Sequence, residues 1–280
     1  MTTSHDPPDG GHAAPEPPST LHIERLAERG VLRFAIDNPP LNVLTQRVRH
    51  ELGALFLGLQ APLASDDAVR ALVFASGPRA FCAGADLKEF PQRFYAAVAR
   101  LHGLNAHRMI LALVECDTPV IAALRGACMG GGLELALGCA YRVAATSARL
   151  ALPEVQRGVW PGTGGSVLLA RQVGPSIAKR LLYTGETLDA KQALAIGLVD
   201  EVVDDAELDA RALALVTDIA DRPAGSVRTL SQLVDHEFRR QFRSHLQFEI
   251  ERFVQTYQTA DAREGLAAFF EKRAAKWVHR

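Results

Sequence analysis

Apolar and polar residues alternate over Leu21-His-Ile-Glu-Arg-Leu26 and again over Val31-Leu-Arg-Phe-Ala-Ile36, with a turn at Arg29-Gly30 between them. A period of two on both sides of a turn predicts a β-hairpin. Asn38-Pro39-Pro40 ends it, because proline offers no N–H to a ladder. The period then changes. Val48, Leu52, Leu55 and Leu59 share one face of an amphipathic helix, and Thr45 stands where its cap belongs. Val69-Arg-Ala-Leu-Val-Phe74 reads as a buried strand, residues 92–114 as a helix, and 119–124 and 141–145 as two further strands. Beyond Thr163 the pattern is mainly helical, with Asp189 and Asp205 as caps and Val199-Asp-Glu-Val-Val203 as a last short strand. Strands alternating with helices predict an α/β protein with parallel pairing.

Three regions follow. Residues 1–19 are rich in Pro, Gly and small polar residues and read as a disordered tail. Residues 20–205 hold the strand–helix alternation. Residues 206–280 are a helical region, polar on one face, able to pack on the core or on a neighbouring subunit.

Composition narrows the functional classes. With 48% hydrophobic residues, a chain of 280 residues can bury a large core. Lys and Arg total 31 against 32 Asp and Glu, which gives no electrostatic case for nucleic acid or an anionic membrane. The local cluster Arg239-Arg240 with Arg243 reads as a solvated helix face. Cys82, Cys116, Cys128 and Cys139 form no CxxC pair and have no histidine at ligand spacing, so free thiols in a reducing compartment are expected, without a metal. No apolar run is long enough for a bilayer, and the N-terminus lacks signal-peptide regions; the expected location is cytoplasmic.

The stretch Gly126-Ala-Cys-Met-Gly-Gly-Gly-Leu-Glu134-Leu-Ala136 carries the strongest chemical signal. Three glycines before a carboxylate allow close backbone approach, and a helix opening there would aim free N–H groups at an anion or a polarised carbonyl. Glu134 itself reads either as an acid/base group or as simple charge complementarity at a helix start. Ala80-Phe-Cys-Ala-Gly-Ala-Asp-Leu-Lys-Glu89 follows a buried strand; its small residues fit either a ligand lying along the backbone or a tight turn. Glu154, in the apolar Leu150-Ala-Leu-Pro-Glu-Val155, is either solvent-facing or buried with a raised pKa. Pro161-Gly-Thr-Gly-Gly165 is a second glycine-rich helix start. Dinucleotide, P-loop and nucleophile-elbow motifs are missing; Ser166 is out of frame for the last of these. His102 and His107 are poorly spaced for a metal, and His50 reads as a surface or interface residue.

Taken in order, these segments resemble the enoyl-CoA hydratase/isomerase (crotonase) family. The resemblance runs from about Leu21 to the last residues. It rests on Asn38-Pro-Pro-Leu-Asn42, Phe81-Cys-Ala-Gly-Ala-Asp86, Gly126–Ala136, Pro153-Glu154, Pro161–Gly165, Thr184-Gly-Glu186 with Gly197-Leu-Val-Asp200, and Glu264-Gly265 leading to Phe270-Glu-Lys-Arg273. It implies a crotonase-like spiral of ββα units followed by C-terminal helices used in trimerisation, as a homotrimer or a dimer of trimers. It implies an acyl-CoA substrate, with coenzyme A part of that substrate and no separate cofactor. The backbone N–H groups of Ala83 and Gly131 are expected to form an oxyanion hole. Ala83, Gly84, Ala85, Asp86, Leu87, Gly130 and Gly131 are expected to line the thioester channel, with Lys272 or Lys276 near the nucleotide phosphates. Two glutamates, Glu134 on water and Glu154 on Cα, imply hydration of a 2-enoyl-CoA. Alternatives are an enoyl-CoA isomerase, an acyl-CoA hydrolase, or a noncatalytic acyl-CoA-binding protein. The chain departs from the commoner pattern in its short Pro40-Leu-Asn42, which lacks a lysine, in Arg157, and in the bulky Trp160. Arg157 is read as a cation beside Glu154 or as a solvent-exposed group, and Trp160 as an acyl-chain stop or core packing.

Overall fold

β1 (Leu21–Leu26) and β2 (Val31–Ile36) form the expected hairpin, paired antiparallel from Leu21 opposite Ile36 to Leu26 opposite Val31. The computed structural model describes residues 19–26, 30–59 and 69–279. Residues 1–18 of the expected tail and Arg29 of the expected turn lie outside them. Ser19 is tied to the fold, its hydroxyl donating to Glu51 at 2.8 Å.

α1 (Gln46–Gly58) begins where the period change places it. Thr45 accepts the Val48 N–H at 3.2 Å, and Val48, Leu52 and Phe56 are fully buried. After it the chain repeats one unit three times: a strand in a large sheet, a strand in a small sheet, then a helix. The first unit is β3 (Ala71–Ala75), β4 (Ala80–Cys82), a 3₁₀ helix (Leu87–Phe94) and α2 (Ala96–Val114). The second is β5 (Val120–Leu124), β6 (Ala127–Met129) and α3 (Gly131–Gly138). The third is β7 (Tyr141–Ala145), β8 (Arg149–Ala151), a second 3₁₀ helix (Pro153–Arg157) and α4 (Gly165–Val173). α5 (Pro175–Thr184), β9 (Leu188–Asp189), α6 (Ala190–Ala195) and β10 (Glu201–Val203) complete the spiral.

The large sheet has the order β1-β2-β3-β5-β7-β10, parallel from β2 onward; the small one has the order β4-β6-β8-β9, with only β9 antiparallel. In the middle of the large sheet, β3 and β5 are apolar and buried throughout, as cover on both faces demands. Phe34 stacks on Phe74 at 4.5 Å, and Phe74 meets Phe81 at 4.5 Å, locking the two sheets together. Each such ring contributes about 1.5–3 kcal/mol by leaving water.

α7 (Leu208–Ala220), α8 (Ala224–Tyr257) and α9 (Ala260–Phe270) follow. α8 does not stand apart. Its inward stripe of Phe242, Leu246, Glu249, Ile250, Phe253 and Tyr257 is buried, and it lies so close to α2 that a Cβ on Gly103 would stand 2.6 Å from Ile250 Cδ1. α9 packs on the second 3₁₀ helix, where a Cβ on Gly265 would meet the Arg157 carbonyl at 2.3 Å.

Two expectations change and one holds. The single helix over 92–114 is divided at Tyr95, because Pro91 sits in a 3₁₀ segment that ends in extended backbone before α2. Asp205 caps no helix: its carboxylate takes the Thr146 hydroxyl and the Ser147 N–H and hydroxyl, and Glu207 precedes α7. Asp189 does cap, in a reciprocal box with Gln192.

Candidate active site

The three singled-out segments meet at one edge of the small sheet. β4 runs into Ala83–Asp86, β6 into Gly130 and Gly131, and β8 into Pro153 and Glu154, so all three leave the carboxyl ends of adjacent parallel strands. Ligands bind there in open parallel sheets, because the strand ends leave backbone groups unpaired.

Two glycines allow the close approach. Gly84 has φ +93°, and a Cβ on it would stand 2.8 Å from Met129 O and 3.5 Å from Gly131 N. Gly130 has φ +52°, and a Cβ on it would stand 2.6 Å from Glu154 Oε1. Both positions also exclude side chains conformationally.

Backbone bonding in the Ala83 segment corrects one expectation. The Ala83 N–H donates to Leu41 O at 3.0 Å, so it is spent within the fold and is no oxyanion donor. The Leu44–Ala85 bridge uses Gly84 O and Asp86 N and passes over the Ala85 N–H. That N–H and the Gly131 N–H donate to no group of the described residues, and Ala85 N lies 3.9 Å from where a Cβ on Gly131 would be. The two free donors therefore lie close together, where the chain leaves β4 and β6. Asp86 caps the first 3₁₀ helix by accepting the Lys88 N–H at 3.0 Å, and Leu87 opens that helix.

Glu134 lies in the first turn of α3, 2% exposed. Its Oε1 accepts the N–H groups of Thr163 at 2.7 Å and Gly165 at 2.9 Å. The Pro161–Gly165 turn thus works through its backbone, which is why its residue types gave only a hint. Glu154 is half-buried as a residue, but its Oε2 is enclosed and without a hydrogen-bond partner. Burial raises both carboxyls, Glu134 to about 8 and Glu154 to about 7. The Glu154 charge raises Glu134 further, while Arg157 pulls Glu154 the other way. Two carboxyls near neutrality at one spot can supply an acid and a base together.

Arg157 and Trp160 have defined places. The Arg157 guanidinium lies 4.7 Å over the Phe269 ring and donates to Pro153 O at 3.2 Å. Trp160 packs edge-on against Phe253 and donates from its indole to Thr256 at 2.6 Å. It belongs to a small apolar cluster of Phe90, Val159, Phe253, Tyr257 and Leu266 that also packs Ala85 and Leu87. Lys272 is exposed beyond α9 and bonds to no site residue. Sequence reasoning passed over Ala85 as a donor, and also Glu249, whose signal was a carboxylate on the apolar stripe of α8. Among the described residues no His, Cys, Asp or Glu cluster could hold a metal, and no helix is long and apolar enough to cross a membrane.

A family model for enoyl-CoA hydratase/isomerase matches residues 27–280. A probable enoyl-CoA hydratase from Bacillus subtilis is 34% identical over 252 residues, 90% of this chain and 96% of that protein. A crotonyl-CoA hydratase from Syntrophomonas wolfei is 36% identical over 76% of this chain and 82% of its own. The crystal structure of an enoyl-CoA hydratase/isomerase from Pseudoalteromonas atlantica matches with a TM-score of 0.82 at 28% identity, over 93% of this chain and all of that one. The chain belongs to the enoyl-CoA hydratase/isomerase family, as an enzyme of its hydratase-like class.

Proposed function

We propose that the protein adds water across the double bond of a 2-enoyl-CoA thioester to give a 3-hydroxyacyl-CoA. The observation that carries this reading is the pair Glu134 and Glu154, both raised toward neutrality beside two unspent backbone donors. The relatives named as hydratases support it.

The thioester carbonyl oxygen takes the N–H groups of Ala85 and Gly131. As charge builds on that oxygen, each preorganised donor lowers the barrier by roughly 3–4 kcal/mol. Glu134 orients water and accepts its proton as the oxygen bonds to Cβ. Glu154 gives its proton to Cα, and transfer from Glu134 to Glu154 resets the pair. The two raised pKa values belong to the pair as a unit. Gly84, Asp86, Leu87 and Gly130 form the walls beside the thioester, and the Phe90–Phe253 cluster backs its acyl end. Coenzyme A enters as part of the substrate, and no separate cofactor takes part. Lys272 is proposed to approach the nucleotide phosphates within an assembled homotrimer or dimer of trimers.

Turnover of matched 2-enoyl-, 3-enoyl- and saturated acyl-CoA thioesters, with product analysis, tests the reading. Hydration of the 2-enoyl thioester supports it; isomerisation alone, free coenzyme A alone, or binding without turnover each selects a competing activity.

A further inference from the structure

Glu249 is the second buried carboxylate beneath the site, 2% exposed on the inner stripe of α8. Its Oε1 accepts from His107 Nε2 at 3.0 Å and from the Gly164 N–H at 2.9 Å; its Oε2 accepts from His245 Nε2 at 3.1 Å. Among the described residues its ion-pair partners are the two histidines, with no Lys or Arg. Burying a carboxylate this way costs several kcal/mol unless it is hydrogen-bonded, and here three donors from three parts of the chain bond to it. The titratable groups facing it are His107 from α2, His245 from its own helix and Glu134 from α3.

Ser166 of α4 lies 3.1 Å from His245 Nε2, so Ser166, His245 and Glu249 resemble a nucleophile triad. They cannot act as one. Serine and carboxylate meet the same imidazole nitrogen, whereas a relay needs one on each.

The Gly164 bond points elsewhere. Thr163, Gly164 and Gly165 are consecutive, and their N–H groups go alternately to Glu134, Glu249 and Glu134. Building on the two-glutamate reading above, we propose that Glu249 is a positioning residue for Glu134, fixing from α8 the turn that holds it and setting a second negative charge behind it. The charge acts in a definite direction, since Glu249 is among the causes that raise Glu134, after burial and Glu154.

The test follows the Glu134 carboxyl directly, without substrate, by infrared difference titration of the protein against its Glu134→Gln variant. The same difference is then taken in a Glu249→Gln background. Gln keeps an oxygen for the Gly164 N–H but carries no charge. The expected result is a Glu134 midpoint lower by roughly half a pH unit or more. An unchanged midpoint overturns the proposal. Glu249→Ala, which also removes the acceptor, is expected to lose about 100-fold in kcat with KM within about threefold. Loss that only tracks the folded fraction, or appears in KM alone, overturns it. Should Glu249→Ala not fold, the Gln titration decides alone. A midpoint shift in a protein that hydrates no enoyl-CoA would remove the reaction reading and still support the positioning role.

Discussion

Glu154 Oε1 occupies the space that a side chain on Gly130 would need, 2.6 Å from the position of its Cβ. The contact couples two segments of the site that are far apart in sequence. One supplies the donor at Gly131, the other the carboxyl.

Gly130→Ala therefore strikes the site from both sides. The new methyl displaces the Glu154 carboxylate, and φ +52° strains any L-residue. We expect at least a 100-fold loss of kcat with a stability loss of about 1–3 kcal/mol, the cost of holding an L-residue in a sparsely populated backbone region. Thermal melting beside kinetics checks it; a variant with normal kcat would place Glu154 outside the reacting centre.

The donor assignment is testable without mutation. With alanine and glycine amides labelled with nitrogen-15, an unreactive acyl-CoA analogue is expected to shift the Ala85 and Gly131 amides strongly. The Ala83 amide, already bonded to Leu41 O, is expected to move little. A dominant shift at Ala83 would reverse the assignment.

The raised carboxyls also make a stability prediction. A carboxyl near 4.3 in the unfolded chain and near 7 or 8 in the fold costs most when ionised. Its contribution is intact below about pH 4 and is lost as pH rises through the folded values. Glu134→Gln, which keeps an oxygen for Thr163 and Gly165, is expected to melt a few degrees above the parent at pH 9, the gap closing toward pH 4. A parent more stable than the variant at pH 9 would contradict the raised value.

Long, regular patterns were legible in the chain. The hairpin, α1 with its Thr45 cap, and β5 and β7 lie within a residue or two of where periodicity places them. The small sheet was not legible as a sheet. β4, β6 and β8 have three residues each and β9 two, too few to show a period, and two of them are embedded in the motif segments. The donors of the site were half-hidden for a related reason. Ala83 and Ala85 are identical in type, and only the Leu41 and Leu44 carbonyls, from a different part of the chain, decide which N–H stays free. His107 and Glu249 are 142 residues apart, and neither shows in sequence that it faces the other.

The central claim is that Glu134 and Glu154 jointly add water to a conjugated thioester, and kcat of the two single Gln variants on crotonyl-CoA tests it most directly. Each is predicted to lose at least 100-fold in kcat while KM stays within a few-fold and the fold is retained. Full activity in both variants would contradict it.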